Sequence, residues 1–93
     1  MAQPPHPGRS LLRDCIEELG LTVAEAAQRL RIQQYYLEEV CRCESPITPM
    51  IAIRIDEVFG GGAETWLAMQ SAHDLWVTRE LLAMLDGFES EPT

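Results

Sequence analysis

The chain contains no lysine, and all seven of its basic side chains are arginine. A phosphate-binding loop of the Gly-rich, lysine-terminated kind is therefore excluded. The one glycine cluster, Gly60, Gly61 and Gly62, has no strand before it and no lysine after it, and it reads as a helix stop. Arginine forks favour bidentate contacts to phosphate, carboxylate or guanine. A GC-rich coding sequence would produce the same bias.

Other absences narrow the function further. No apolar run approaches the length needed to span a bilayer. The N-terminus, MAQPPHPGRS, lacks the basic start and apolar centre of a signal peptide. A cytoplasmic protein with no membrane partner is expected. Cysteine is sparse and odd in number: Cys15, Cys41 and Cys43. A disulfide scaffold uses more, in even count. Cys41 and Cys43 with a distant Cys15 do not supply four ligands at zinc-site spacing, so no metal or other cofactor is expected. Cys15 and Cys41 fall on apolar stripes, where a buried thiol acts as a small hydrophobe. The two histidines, His6 and His73, have no Ser, Cys or carboxylate partner at motif spacing, and no catalytic activity is expected.

What the chain does have is an apolar content of 46 % in 93 residues, enough for one small domain with a modest core. Oligomerisation would add stability. The formal charge of −8 is unevenly spread. Residues 1–54 carry six arginines against seven acids, whereas residues 55–93 carry Arg79 alone against eight. The front half can approach DNA; the back half repels it and suits a basic protein partner.

The apolar spacing is helical throughout, and no segment alternates as a strand does. In residues 10–19, Leu11, Cys15 and Leu19 mark one buried face with Leu12 and Ile16 beside it; Ser10 is placed to cap it and Gly20 to end it. Thr22 with Glu25 forms a capping box for a second helix, whose inner stripe is Val23, Ala26, Ala27 and Leu30. Arg31 and Ile32 make a tight link to a third helix, about residues 33–41, with Leu37, Val40 and Cys41 inward. Two short helices joined by a tight link are the helix-turn-helix layout. Thr48 and Pro49 start a fourth helix, with Ile51, Ile55 and Phe59 on one face. A fifth, longer helix runs from Ala63 to about Leu85. The expected organisation is a mobile arm (1–9), an all-α five-helix domain with an extended C-terminal helix (10–85) and an acidic tail (86–93).

Five short segments occur in order over residues 6–79: His6, Pro7 and Gly8; Gly20 to Val23; Ile47, Thr48 and Pro49; Trp66 to Gln70; and Asp74, Leu75 and Trp76. Together they resemble the HigA-type antitoxins, also called the VapI-like group, of the lambda-repressor-like helix-turn-helix superfamily. The resemblance implies a homodimeric DNA-binding antitoxin. It would neutralise a small basic toxin that cleaves mRNA on the ribosome, and it would repress its own operon by binding operator DNA. The chain departs from that pattern where DNA is read. The family's small polar opening, central Ser-Arg pair and basic Gly-Lys turn are replaced by Gln33 and Gln34, by Glu38 and Glu39, and by residues 42–45, whose only cation is Arg42.

The candidate DNA-reading residues are Gln28, Gln33, Gln34, Tyr35, Tyr36, Glu38, Glu39 and Arg42. Glutamine can bond adenine in the major groove, and a carboxylate can accept from cytosine N4. The tyrosines can touch phosphate, stack or meet thymine methyls. Glu38 and Glu39 side by side repel a phosphate backbone. Arg29, Arg31, Arg42 and Arg54 could flank a duplex and hold phosphates. Leu75, Trp76, Leu81, Leu82 and Leu85 give the fifth helix more apolar surface than one small domain covers, and mark a dimer interface. An alternative reading makes the third helix a protein-binding surface without DNA contact, with its glutamates facing a basic partner and Tyr35 and Tyr36 as anchors.

Overall fold

The structure, a computed structural model, describes residues 2–87. Its elements are α1 (Pro7–Ser10), which passes directly into a wider-wound π-helical segment (Leu11–Glu17), then α2 (Val23–Leu30), α3 (Gln34–Cys41), α4 (Pro49–Phe59) and α5 (Ala63–Gly87). No strand occurs among the described residues. No helix among them is long and apolar enough to cross a membrane. Apart from Asp86 and Gly87, the acidic tail expected at 86–93 lies outside the described residues.

The expected starts of α2 and α4 are present. The Thr22 hydroxyl accepts from the Glu25 amide at 3.0 Å, and the Thr22 amide donates to the Glu25 carboxylate at 2.8 Å. Those two bonds also hold the Glu25 carboxyl below its ordinary pKa. Thr48 accepts from the Ile51 amide, and Pro49 occupies the first turn, where its missing N–H costs nothing.

The first three helical stretches end in the same way. The amide of residue 21, 32 or 44 reaches back to the carbonyl of 16, 27 or 39, while that of 20, 31 or 43 bonds 17, 28 or 40. This paired pattern needs a left-handed residue at its corner. Gly20 fills that place without strain. Arg31 (φ 60°) and Cys43 (φ 64°) fill it with a side chain, at a cost of about 1–2 kcal/mol each.

The core is formed by Leu11, Ile16, Leu30, Leu37, Val40, Ile47, Ile51 and Ile55, all essentially inaccessible, with Ala26, Ala27, Ala52 and Trp66. Ala26 and Ala27 let α3 cross close to α2. Removing a buried leucine such as Leu37 would cost about 2–5 kcal/mol.

Two expectations for the N-terminal region are corrected. Helix formation begins at Pro7, not after Ser10, and residues 6–8 are buried rather than part of a free arm. His6 is the cap: its Nδ1 accepts from the Gly8 amide at 2.9 Å. Gly8 is required here because a Cβ would lie 1.9 Å from the Val40 carbonyl oxygen, where α1 meets α3. Leu19, placed on the buried stripe by 3.6-residue spacing, is 60 % exposed. The π-helical winding brings Leu11 and Ile16 into line at a spacing of five, and it turns residue 19 outward.

The glycine cluster is a shaped corner, and all three glycines have positive φ. The Gly60 carbonyl accepts from the Trp66 indole N–H at 3.0 Å, and the Gly62 amide donates to Asp56 at 2.9 Å. A side chain on Gly61 would strike the Trp66 ring. The corner aims α5 back across α4. Beyond Trp76 the helix leaves the core, and every residue from 77 to 87 is exposed.

Candidate nucleic-acid interface

α2, the Arg31 corner and α3 form a rigid unit. Leu30, Leu37 and Val40 anchor it inward, which turns the opposite face of α3 to solvent. Gln28 lies exposed on α2. Gln33 is the N-cap residue of α3, exposed, with no side-chain bond to the helix. The first amides of α3 are thus uncapped by any side chain, at the positive end of the helix dipole. Gln34 and Arg42 are exposed, and Tyr35 is 66 % exposed.

The acidic pair is embedded in local bonds. The Gln34 side-chain amide donates to Glu38 at 3.0 Å. Glu39 accepts from the Ser45 hydroxyl at 2.9 Å, and the Tyr35 hydroxyl lies beside it. The nearby Tyr35 and Ser45 hydroxyls pull the Glu39 carboxyl below its usual range, while Glu39 pushes the Tyr35 hydroxyl up. Glu39 therefore stays charged at neutral pH. Tyr35, Glu39 and Ser45 form one linked surface that joins the middle of α3 to the turn behind it.

Tyr36 differs from its neighbour. It packs partly against the core, and its hydroxyl donates to the Pro46 carbonyl at 3.3 Å, so much of this side chain supports the turn after α3. Arg42 follows α3 directly and pairs with Glu44 at 3.2 Å. Both partners are more than half exposed, and such pairs contribute little to stability.

The turn after α3 is held from behind by Gln70, a residue whose sequence context marks it only as part of a family-like segment. Gln70 is 5 % exposed on α5. Its carbonyl accepts from the Ile47 amide at 2.8 Å, and its amide donates to Asp74 at 3.0 Å. The signal in the sequence is a glutamine spaced one helical turn from Trp66, on the inner side of the helix.

Burial raises both the Cys15 thiol and the Cys41 thiol, the latter to about 11, so both are protonated at neutral pH. Cys43 is exposed, and its place is the left-handed corner after α3. Of the proposed interface on α5, Leu75, Leu81, Leu82 and Leu85 are all about half exposed, and Trp76 is half-buried. Leu75 and Leu82 are two turns apart, and Leu81 and Leu85 one turn apart, giving an apolar end to the helix.

No protein-family model matches the chain. Among curated proteins it is 36 % identical to virulence-associated protein I of Dichelobacter nodosus over 70 residues, which are 75 % of this chain and 65 % of that protein. The chain thus spans just under two thirds of that relative's length. It is 33 % identical to virulence-associated protein A of the same organism over 76 residues, 81 % of this chain and 74 % of the relative. Among solved structures, the Pseudomonas aeruginosa antitoxin HigA with higBA promoter superimposes with a TM-score of 0.84 at 26 % identity, covering 96 % of this chain and 97 % of that one. A Pseudomonas aeruginosa protein in complex with its 28-bp operator DNA superimposes at 0.83 and 26 % identity, covering 97 % and 99 %.

Proposed function

Because the chain belongs to the HigA-type, VapI-like family of helix-turn-helix proteins, we propose that it is a DNA-binding antitoxin that represses its own operon. The observation that carries this reading is the α2–α3 unit. Its two helices are locked at the Arg31 corner, and α3 presents Gln33, Gln34 and Tyr35 outward from an uncapped N-terminus. Solved relatives of the same fold hold promoter or operator DNA. In this reading Gln34, Tyr35, Glu38 and Glu39 face base edges. Gln33, Gln28 and Arg42 meet the phosphates at either end of α3. The relatives are antitoxins and regulators rather than enzymes.

The chain acts in the cytoplasm as a homodimer in which the apolar ends of two α5 helices pair, with Trp76 as the anchor. The pairing sets two α3 helices into successive major grooves, about 34–36 Å apart. The acidic C-terminal half then meets a small basic toxin that cleaves mRNA. Footprinting over the chain's own promoter tests the first part: two protected half-sites one helical turn apart are expected, and uniform or absent protection contradicts it. Co-expression with a short basic protein from the adjacent reading frame tests the second; a stable complex is expected.

One observation favours a second reading, in which α3 binds a protein. Glu39, which accepts from the Ser45 hydroxyl, makes an acidic surface together with Glu38 and Glu44. Charge reversal at Glu38 and Glu39 separates the two. It leaves toxin binding intact if α3 reads DNA, and abolishes partner binding if α3 is the protein-binding surface.

A further inference from the structure

The reading face of α3 carries no cation before Arg42, yet three arginines converge beside it. A groove of about 700 Å³ runs between the N-terminal helix and the end of α3. Arg9, Leu12 and Arg13 form one wall, and Cys41, Arg42 and Cys43 the other. Arg9 and Arg13 sit one turn apart and are both exposed. Neither is in an ion pair among the described residues, whose two ion pairs are Arg42 with Glu44 and Arg54 with Glu57. Glu44 is the one carboxylate on the groove, and it holds Arg42 only by an exposed, single-point contact at 3.2 Å. The groove lining thus carries three guanidiniums against one carboxylate, in a protein whose formal charge is −8.

We propose that Arg9, Arg13 and Arg42 form a clamp for the DNA phosphates that flank the reading helix. The inference rests on the DNA-binding reading above and adds where the neutralising charge comes from. A guanidinium is always charged and matches a phosphate bidentately. Contacts that position a helix-turn-helix unit fall on the backbone beside the groove its reading helix enters. The Arg42 end of α3 opens directly onto this groove. Charge and reading are thus divided between two elements: α3 discriminates, and the wall from the first helix holds the backbone. Glu44 keeps Arg42 in place until a phosphate replaces it. Close packing at Gly8 against Val40 fixes the distance between the two walls.

The test uses the full chain and a fluorescent duplex carrying the DNA upstream of its reading frame, with a scrambled duplex of equal length. Affinity for each is measured between about 50 and 200 mM salt. Every phosphate that the protein no longer neutralises reduces the slope of log K against log salt by roughly 0.9. Arg9→Gln with Arg13→Gln should therefore flatten the slope by up to about 2 units and weaken both duplexes, leaving their affinity ratio unchanged. Arg9→Lys with Arg13→Lys should restore most of the slope, and Arg79→Gln, on α5, should leave it as in the unmodified chain. Thermal melts exclude loss of fold, since Arg9 and Arg13 are both exposed. If the unmodified chain binds its operator and the double glutamine variant keeps the full slope, the clamp is overturned while the repressor reading stands. If the unmodified chain binds neither duplex, both are overturned. If the double variant instead loses only binding to an acidic protein partner, the groove serves that partner and the clamp is overturned.

Discussion

The imidazole of His6 meets that of His73 edge to face, with ring centroids 5.1 Å apart and planes at 73°. The contact ties the N-terminal segment to α5. His6 is 8 % exposed; its Nδ1 accepts from the Gly8 amide, and the Ser45 backbone lies beside the ring. His73 Nδ1 lies 2.9 Å from the Pro4 carbonyl, which only accepts, so that nitrogen carries the proton. Arg9, Cys43, Glu44 and Asp74 surround the pair.

That geometry fixes a pH dependence. Burial first, then the His73 ring, lowers the His6 pKa, and Asp74 and the Ser45 bond oppose the change only partly. The neutral form is thus favoured in the fold. The stability that His6 contributes is complete above its unfolded pKa of about 6.5 and is lost as the pH falls through the lower folded value. Denaturant midpoints should decline between about pH 7 and pH 5. His6→Asn, which caps without titrating, should flatten the decline. A midpoint that is constant or rises over this range in the unmodified chain contradicts the assignment.

Gln70 makes a separate prediction. Replacing it with Met keeps volume but leaves the buried Ile47 amide without an acceptor. The expected loss is about 1–3 kcal/mol, read as a lower urea midpoint at unchanged m-value. Hydrogen exchange at the Ile47 amide should accelerate. Protection as in the unmodified chain would show that the bond is dispensable.

The helix corners predict an opposite sign. Arg31→Gly and Cys43→Gly remove a left-handed strain of about 1–2 kcal/mol each, offset in part by the larger entropy of an unfolded glycine. A net gain of about 0.5–1 kcal/mol and a higher melting temperature are expected for each variant. Gly61→Ala should do the reverse, since its Cβ would meet the Trp66 indole at 2.9 Å. A fall in melting temperature for both corner variants would contradict this account of the corners.

The exposed end of α5 predicts the oligomeric state. Leu81→Glu with Leu85→Glu removes apolar surface from residues that touch no core, so the monomer should fold as before. Sedimentation should show a dimer for the unmodified chain and a monomer for the variant. A dimer that survives the double change would place the interface elsewhere.

The readable parts of this fold are those whose signals are local. Thr22 with Glu25, and Thr48 with Pro49, announce helix starts within four residues. Thus α2, the link and α3 are legible from spacing alone, as is the long α5. The N-terminal segment is not, because its order comes from contacts far along the chain: Gly8 against Val40, His6 with Ser45 and His73, and His73 with Pro4. Proline-rich composition points to an extended arm when those partners are out of view. Leu19 misleads because the helix widens, and a 3.6-residue period cannot follow that change. The outward face of α3, with Gln33, Gln34 and Tyr35, is legible from spacing. Its bonding is not: the Tyr35–Glu39–Ser45 linkage and the turning of Tyr36 toward Pro46 depend on how the turn folds back on α3. The arginine groove is hidden for the same reason, since Arg9 and Arg42 meet only in the fold.

The central claim is that α3 reads DNA sequence although its exposed face is acidic. Titration of the unmodified chain against its upstream duplex and a scrambled duplex, at one salt concentration, tests it most directly. The account predicts tighter binding to the upstream duplex by at least about a thousandfold, reduced toward unity by Gln34→Ala with Tyr35→Ala. Equal affinity for the two duplexes would contradict it.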